Sequence, residues 1–481
     1  MERKRWLFRL GIGVLLAGCS GASNNEKANS PSAGGSTGSS GGTGSSGSSA
    51  SNPVDGVTVT VAPSVVHLRP AATANFIATV GGATDKSVTW SVQEGKSGGA
   101  ITTDGVYTAP AASGTFHVIA ASTAKPAATA TATVIVTTVG NCDNLPAPGK
   151  WETIAPVTAV IGDSAGKNYT ESIIVDPFDP ATVWLGTGFA GVFKSPDCGA
   201  TWMKVSTGRN SDKMDNGSHA SMALDPVDRG TMYAVSLFGA FGLWKTTNAG
   251  VDWDQILLPD TDFYKATNNF VDAVAMDPTD HLHLVLGMHT NCTAPYAPTC
   301  TGETFDGGKT WQVVKLPTPA WEEGAGPAII GGKLWTYGGQ DLWVTTDDGA
   351  TWNKATPQGT SRFDSGETTT RPIVQTADGT YLLTSNDGFV MSKDGIAWSR
   401  VPNFTNRLVP LALAGGHLYA ADQWSKSFYS ALETDLSTWT TVPPMADLPD
   451  NEGAPYIDYD SVHHVLYTGH YAGGMWRLVT E

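Results

Sequence analysis

Four carboxylates, Glu322, Asp341, Glu367 and Asp387, fall on connecting loops in two consecutive stretches of the chain. Glycoside hydrolysis requires such groups in pairs, one as acid and one as base or nucleophile, about 5–10 Å apart across the scissile bond. A second set, His289, Tyr471 and Arg371, has the types that eliminative cleavage of a uronate-containing polysaccharide demands: a base, and a cation that neutralises the uronate. His289 stands in the long insertion "MHTNCTAPYAPTC", where Cys292 and Cys300 are spaced to close a short loop and hold it still. His219, Asn291, Trp424 and His470 complete a polar, aromatic-dotted set suited to hydrogen-bonding sugar hydroxyls and stacking on pyranose faces. The same residue types also occur on solvated loops, where carboxylates cap backbone amides. Catalysis and plain surface exposure therefore both stay open.

The elements that must position these residues are legible as a repeat. The frame Ser/Thr, any residue, Asp/Asn, any residue, Gly, two residues, Trp occurs in "SPDCGATW", "TTNAGVDW", "TFDGGKTW" and "TTDDGATW". Its tryptophans, Trp202, Trp253, Trp311 and Trp352, continue at similar intervals as Trp398 and Trp439 in degraded frames. Between them recur an apolar strand, an Asp-containing turn and a second strand, as in "IIVDPFDPATVWLG" and "MALDPVDRGTMYAV". Seven such hairpins are counted, each followed by a third strand such as "GVFKS" or "DLWVT". A period of 40 to 50 residues built on hairpins predicts propeller blades. The last unit ends after its third strand, and "GKWETIAP" around Trp151 matches the missing outer strand. The N-terminal segment is thus expected to pair with the last blade and close the ring, which removes an exposed sheet edge. The expectation is an all-β chain with a seven-bladed β-propeller over 142–481. The recurring motif itself is a turn device: Gly349 supplies positive φ, Asp347 bonds its own backbone and Trp352 anchors the turn.

These frames resemble the Asp-box propellers, a family that includes sialidases, xyloglucanase-type hydrolases, sortilin-like receptors and photosystem assembly factors. The resemblance implies that the motif lies on the blade periphery and fixes fold rather than chemistry. The sialidase pattern needs three arginines and an Arg-Ile-Pro phrase before the first blade. Here "TRPIV" with Arg371 falls in the fifth unit, and Arg407 is the one other arginine apparent on the rim, so the cation cluster is missing. Xyloglucanase-type members join two propellers around a cleft, and this chain carries one. Seven-bladed ulvan-type lyases show that a propeller can host elimination. No Ser-His-Asp arrangement, phosphate-binding loop or dinucleotide fingerprint is present.

The chain of 481 residues is 41% hydrophobic and 15% charged, with 55 glycines and a net charge of −16, and no Lys/Arg run follows the first few residues. This argues against a nucleic-acid partner. Residues 1–18 read as an export signal whose "LAGC" ending resembles the lipobox of bacterial lipoproteins, with Cys19 lipidated and Ser20 directing the protein to the outer membrane. Residues 19–53 form a Ser/Gly-rich flexible tether. Residues 54–138 alternate apolar and polar in short runs, and "VTWSV" with "ITTDGVYTAPAASGTFHVIA" resembles bacterial immunoglobulin-like modules, implying a β-sandwich spacer. Cys142 and Cys198 pair by elimination once Cys292 joins Cys300. No CxxC or Cys/His metal spacing is visible and no cofactor is evident, with a structural calcium left open. The functional expectation is an exported, lipid-anchored monomer that engages extracellular polysaccharide and cleaves it as a hydrolase or lyase. The alternative is a non-catalytic propeller for protein binding, adhesion or surface-complex assembly.

Overall fold

The computed structural model describes residues 50–52, 54–68, 70–112, 114–136, 142–143, 145–154, 170–257, 271–288, 291–317, 326–338, 341–360, 363, 373–401, 404, 411–422, 425–445, 454, 456–470 and 474–481. Among them the chain is all β apart from one short helix, Ser211–Met214, and one 3-10 turn, Gly95–Gly98.

Residues 50–136 build their own core. Thr129–Val136 pairs antiparallel with Gly114–Ser122 and Ala50–Asn52, and parallel with Val65–Leu68. Strict alternation in Thr129–Val136 buries Ala130, Ala132, Val134 and Val136 on one side, against Val59, Phe76, Tyr107 and Val118. The sheet takes in three residues of the stretch read from composition as tether, because Ala50–Asn52 finds backbone partners at Thr129–Thr131.

Among the described residues seven four-stranded antiparallel sheets follow, six of them simple meanders. Their innermost strands begin at Thr170, Ser221, Val271, Gly326, Val374, Leu411 and Tyr456. Six take their outer strand from the same unit. The seventh takes it from Trp151–Thr153, which pairs with Gly474–Val479 in the register Trp151↔Leu478, Glu152↔Arg477, Thr153↔Trp476. Seven apolar clusters lie one between each consecutive pair of sheets, and one of them joins the last sheet to the first through Ile173, Leu185, Phe193, Val465, Tyr467 and Met475. The sheets therefore form a closed cycle.

At one end of this cycle the inner hairpins turn on aspartates. Asp176, Asp225, Asp277 and Asp460 each accept a backbone N–H two residues on, at 2.8–2.9 Å. Several also reach the next sheet. Asp225 Oδ2 lies 2.8 Å from His281 Nδ1, and Asp277 accepts the N–H groups of Gly331 and Gly332 at 2.9 Å. The Asp–Pro turns at Asp225 and Asp277 are thus both local caps and links between sheets.

The turns between third and fourth strands share one hydrogen-bond pattern. Thr345 Oγ1 donates to Asp347 Oδ1 at 2.7 Å and accepts from Gly349 N at 3.0 Å, and Asp347 Oδ2 receives the Thr351 hydroxyl at 2.6 Å. The same pattern recurs at Ser195, Asp197 and Thr201, and at Thr304, Asp306 and Thr310. Gly349 has φ +81°, and a Cβ there would stand 2.2 Å from Val314 Cγ1 on the outer strand of the preceding sheet. Glycine is required twice, by backbone conformation and by sheet-to-sheet approach. Gly349→Ala is expected to cost about 1–3 kcal/mol, read as a lowered urea midpoint. An unchanged midpoint would show that the neighbouring strand yields freely.

Candidate functional site

The end of the cycle opposite the aspartate turns concentrates buried polar groups on the first three sheets. Innermost strand Thr170–Val175 is bulged at Glu171, since Thr170 faces Thr187 while Ser172 faces Gly186. Strand Val271–Asp277 is bulged at the corresponding place, since Val271 faces Met288 while Ala273 faces Gly287, leaving Asp272 as the extra residue. A bulge re-aims the extra side chain out of the alternating pattern. Two carboxylates are thereby set at equivalent positions of sheets one and three, and both are buried, at 2% and 4% exposure.

The approach to sheet two lies between them in chain order. Ser218 Oγ donates to Glu171 Oε1 at 2.5 Å, and Ser172 Oγ donates to the His219 carbonyl at 2.8 Å. His219 N in turn donates to the Thr187 carbonyl at 3.1 Å. Gly186 allows this closeness: a Cβ there would lie 2.3 Å from Ser172 Oγ and 2.8 Å from the His219 carbonyl oxygen. Ser221 Oγ continues the chain by accepting from Val274 N at 3.1 Å in sheet three.

His219 is wholly buried, and its Nε2 donates to the Met214 carbonyl at 2.8 Å at the end of the short helix. Burial holds the imidazole neutral, with its pKa pushed down to about 4. A side chain so enclosed supports the backbone that carries Ser218 rather than reaching a ligand. His470 is likewise buried; its Nε2 lies 3.3 Å from Thr468 Oγ1 and its carbonyl accepts from Thr170 Oγ1 at 2.8 Å, tying sheet seven to sheet one.

Other sequence-predicted residues fall elsewhere. Asp341 opens a third strand and pairs with Lys354 Nζ at 2.6 Å, accepting also from Thr356 Oγ1 at 3.3 Å. Asp387 lies in the turn after Tyr381–Ser385, with its N–H on Ser385 Oγ at 3.2 Å and its carbonyl accepting from Arg400 at 2.8 Å. Asn291 is exposed beside the Cys292–Cys300 disulfide, whose Cα atoms are 6.0 Å apart. Cys142 is joined to Cys198. His289, Tyr471, Arg371, Glu322, Glu367, Trp424 and Cys19 lie outside the described residues. Cavities of about 460 and 570 Å³ occur on the outer strands of sheets six and seven and of sheets five and six, and neither touches a predicted site residue.

Neither Glu171 nor Asp272 is among the carboxylates that the sequence singles out. The signal available was an acidic residue immediately before an apolar run in "TESIIV" and "VDAVAM". That both are bulged depends on the register of the partner strand.

Residues 308–474 match the family model described as DUF6242 beta propeller domain. A xyloglucanase of Paenibacillus sp is 26% identical over 307 residues, covering 58% of this chain and 26% of that protein. A xyloglucanase of Acetivibrio thermocellus is 26% identical over 237 residues, covering 44% of this chain and 25% of its own length. A probable oligoxyloglucan-reducing end-specific xyloglucanase of Neosartorya fischeri is 36% identical over 92 residues, or 19% of this chain and 11% of that one. The chain thus spans about a quarter or less of the curated relatives it matches. Among solved structures, YCF48 bound to D1 peptide aligns over 71% of this chain and 98% of its own at 15% identity and a TM-score of 0.47. YCF48 from Cyanidioschyzon merolae aligns over 68% and 98% at 13% identity and a TM-score of 0.45.

Proposed function

We propose that this β-propeller engages extracellular polysaccharide at the end of its ring that carries Glu171, Ser218 and Asp272. The single observation behind this reading is the pair of bulged, buried carboxylates at equivalent positions of sheets one and three, of which Glu171 accepts the hydroxyl of Ser218. Similarity to xyloglucanases favours a glycan over other ligands. The seven sheets are read as seven Asp-box blades, the segment 54–138 as an immunoglobulin-like spacer, and Cys19 as the lipidated residue that holds the assembly at the outer membrane. His289, Tyr471 and Arg371 remain the groups proposed for elimination, and the carboxylates Glu171 and Asp272 join Glu322, Glu367, Asp341 and Asp387 as those proposed for hydrolysis. A carboxylate with little competing water around it suits a glycan because a charge-assisted hydrogen bond to a sugar hydroxyl is strong there.

The test incubates the chain from Asn52 onward with neutral and uronate polysaccharides, following reducing ends and the absorbance of unsaturated uronates together. New reducing ends without the chromophore are the expected result and assign hydrolysis by carboxylates. Reducing ends with the chromophore would move the chemistry to His289 and Tyr471. No product and no retention on any glycan would overturn the reading in favour of a protein-binding propeller.

A further inference from the structure

Where the last sheet meets the first, Cys142, Cys198, Asp460 and His463 each bring one ligand-type atom within 4.8 Å of the others. They come from three parts of the chain: the segment before the closing strand, the turn of sheet one, and the inner hairpin of sheet seven. Asp460 holds this turn by accepting the N–H groups of Val462 and His463 at 2.8 and 3.0 Å. Its other oxygen faces His463 Nδ1 at 2.6 Å and Cys198 Sγ at 3.7 Å. Asp460 and Cys198 are fully buried, whereas the His463 ring is 30% exposed, so the cluster has rigid walls and one accessible side. Arg477, itself buried, donates to the Cys198 carbonyl and pairs with Glu152 Oε2 at 2.8 Å.

We propose that this cluster is a redox-gated binding site for a thiophilic divalent cation of the zinc type. In the oxidised protein the sulfurs form the Cys142–Cys198 bond and have no lone pair of thiolate character to give. A dithiol reductant delivers two electrons and two protons to that bond, leaving as its own disulfide while Cys142 and Cys198 become thiols. Binding of the cation then releases the two thiol protons and completes a set of two thiolates, one imidazole and one carboxylate. Two sulfurs, a nitrogen and an oxygen are the donors that a tetrahedral zinc ion takes, at about 2.0–2.3 Å. Ligands at those lengths stand roughly 3.3–3.8 Å from one another, so Asp460 and Cys198 are already spaced for it. His463 and Asp460 need part by only about 1 Å. The cross-link that fixes the first sheet's turn to the segment leading into the closing strand is in this way exchanged for a metal clamp that also takes in sheet seven. The spacing hides the site in the sequence, because its ligands lie at 142, 198, 460 and 463 rather than in paired short motifs.

The experiment uses the full folded chain, reduced without air by a phosphine, which breaks the disulfides with water as proton source and leaves as phosphine oxide. Zinc is added, unbound metal is removed by gel filtration, and zinc per chain is measured by mass spectrometry, with cobalt absorption reporting sulfur ligation. The expected result is one zinc per reduced chain, none per oxidised chain, and a sulfur-to-cobalt charge-transfer band. Cys198→Ser and His463→Ala are expected to weaken uptake tenfold or more. A Cys292→Ser/Cys300→Ser double variant is expected to bind as the parent does, since that pair belongs to no such cluster among the described residues. The proposal is overturned if the reduced chain keeps its near-ultraviolet circular dichroism yet takes up no metal, or if Cys198→Ser binds equally well. It is also overturned if reduction unfolds the chain and zinc fails to restore that spectrum.

Discussion

Trp151→Ala is expected to lower stability by about 3–5 kcal/mol, the largest loss of any single substitution considered. Trp151 is 9% exposed at the start of the closing strand, packs 4.9 Å from the Phe428 ring, and donates from Nε1 to the Pro443 carbonyl at 2.6 Å. Its removal opens a cavity among Phe428, Val442, Met445 and Leu478, and leaves that carbonyl without its indole donor. It also loosens the strand that gives the seventh sheet its fourth member, so the exposed edge of Gly474–Val479 becomes available to other chains. Urea unfolding followed by tryptophan fluorescence should show the midpoint falling and aggregation rising near it. A shift under about 1 kcal/mol would mean that the strand contributes little to closing the cycle.

The second large effect concerns two buried groups whose pH responses oppose each other. His219 has its folded pKa pushed down to about 4 by desolvation, from a value of 6.5. The unfolded chain therefore binds more protons between pH 6.5 and 4, and stability is lost as pH falls through that window, by about 3 kcal/mol. Asp458 behaves in the reverse sense. Some of its surface remains accessible, but protein surrounds it at the seam between sheets seven and one, where Oδ2 accepts from Val175 N at 2.7 Å. Desolvation, with the nearby Asp460 charge a lesser cause, raises its pKa from 3.8 to about 6. Here the folded chain binds more protons between pH 4 and 6, so stability rises as pH falls, by about 2–3 kcal/mol. The parent is expected to change little between pH 6 and 4. Asp458→Asn should unmask the histidine and lose about 3 kcal/mol over that range, while His219→Gln should gain stability. Denaturation midpoints across pH decide this, and parallel profiles for the parent and both variants would contradict it. Below pH 4 a separate loss sets in, because hydrogen bonds from Thr310, Thr304 and Lys309 outweigh burial and hold Asp306 down to about 2.

How far these features can be read in advance depends on whether they are local. The turn frame is visible because Thr345, Asp347, Gly349 and Thr351 bond to one another within seven residues. The closing strand is visible because Trp151 repeats the outer-strand pattern. The bulges at Glu171 and Asp272 are not, because one extra residue is defined only by what stands opposite it. Burial of His219 is not, since it follows from the packing of Met214 and the approach of sheets one and two. Asp341 reads as a free carboxylate until the pairing of Trp343 with Lys354 brings the lysine to it.

The most direct measurement of glycan engagement is affinity electrophoresis on polysaccharide gels, comparing the parent with Glu171→Gln, Asp272→Asn and an outer-strand control, Asp435→Asn. If the proposed site holds the glycan, each carboxylate change removes a charge-assisted hydrogen bond to a sugar hydroxyl, and retention should weaken about 10- to 100-fold with thermal midpoints close to the parent's. The control should be retained as the parent is. If both site variants bind as tightly as the parent, the glycan does not sit at the bulged carboxylates and the proposed site is wrong.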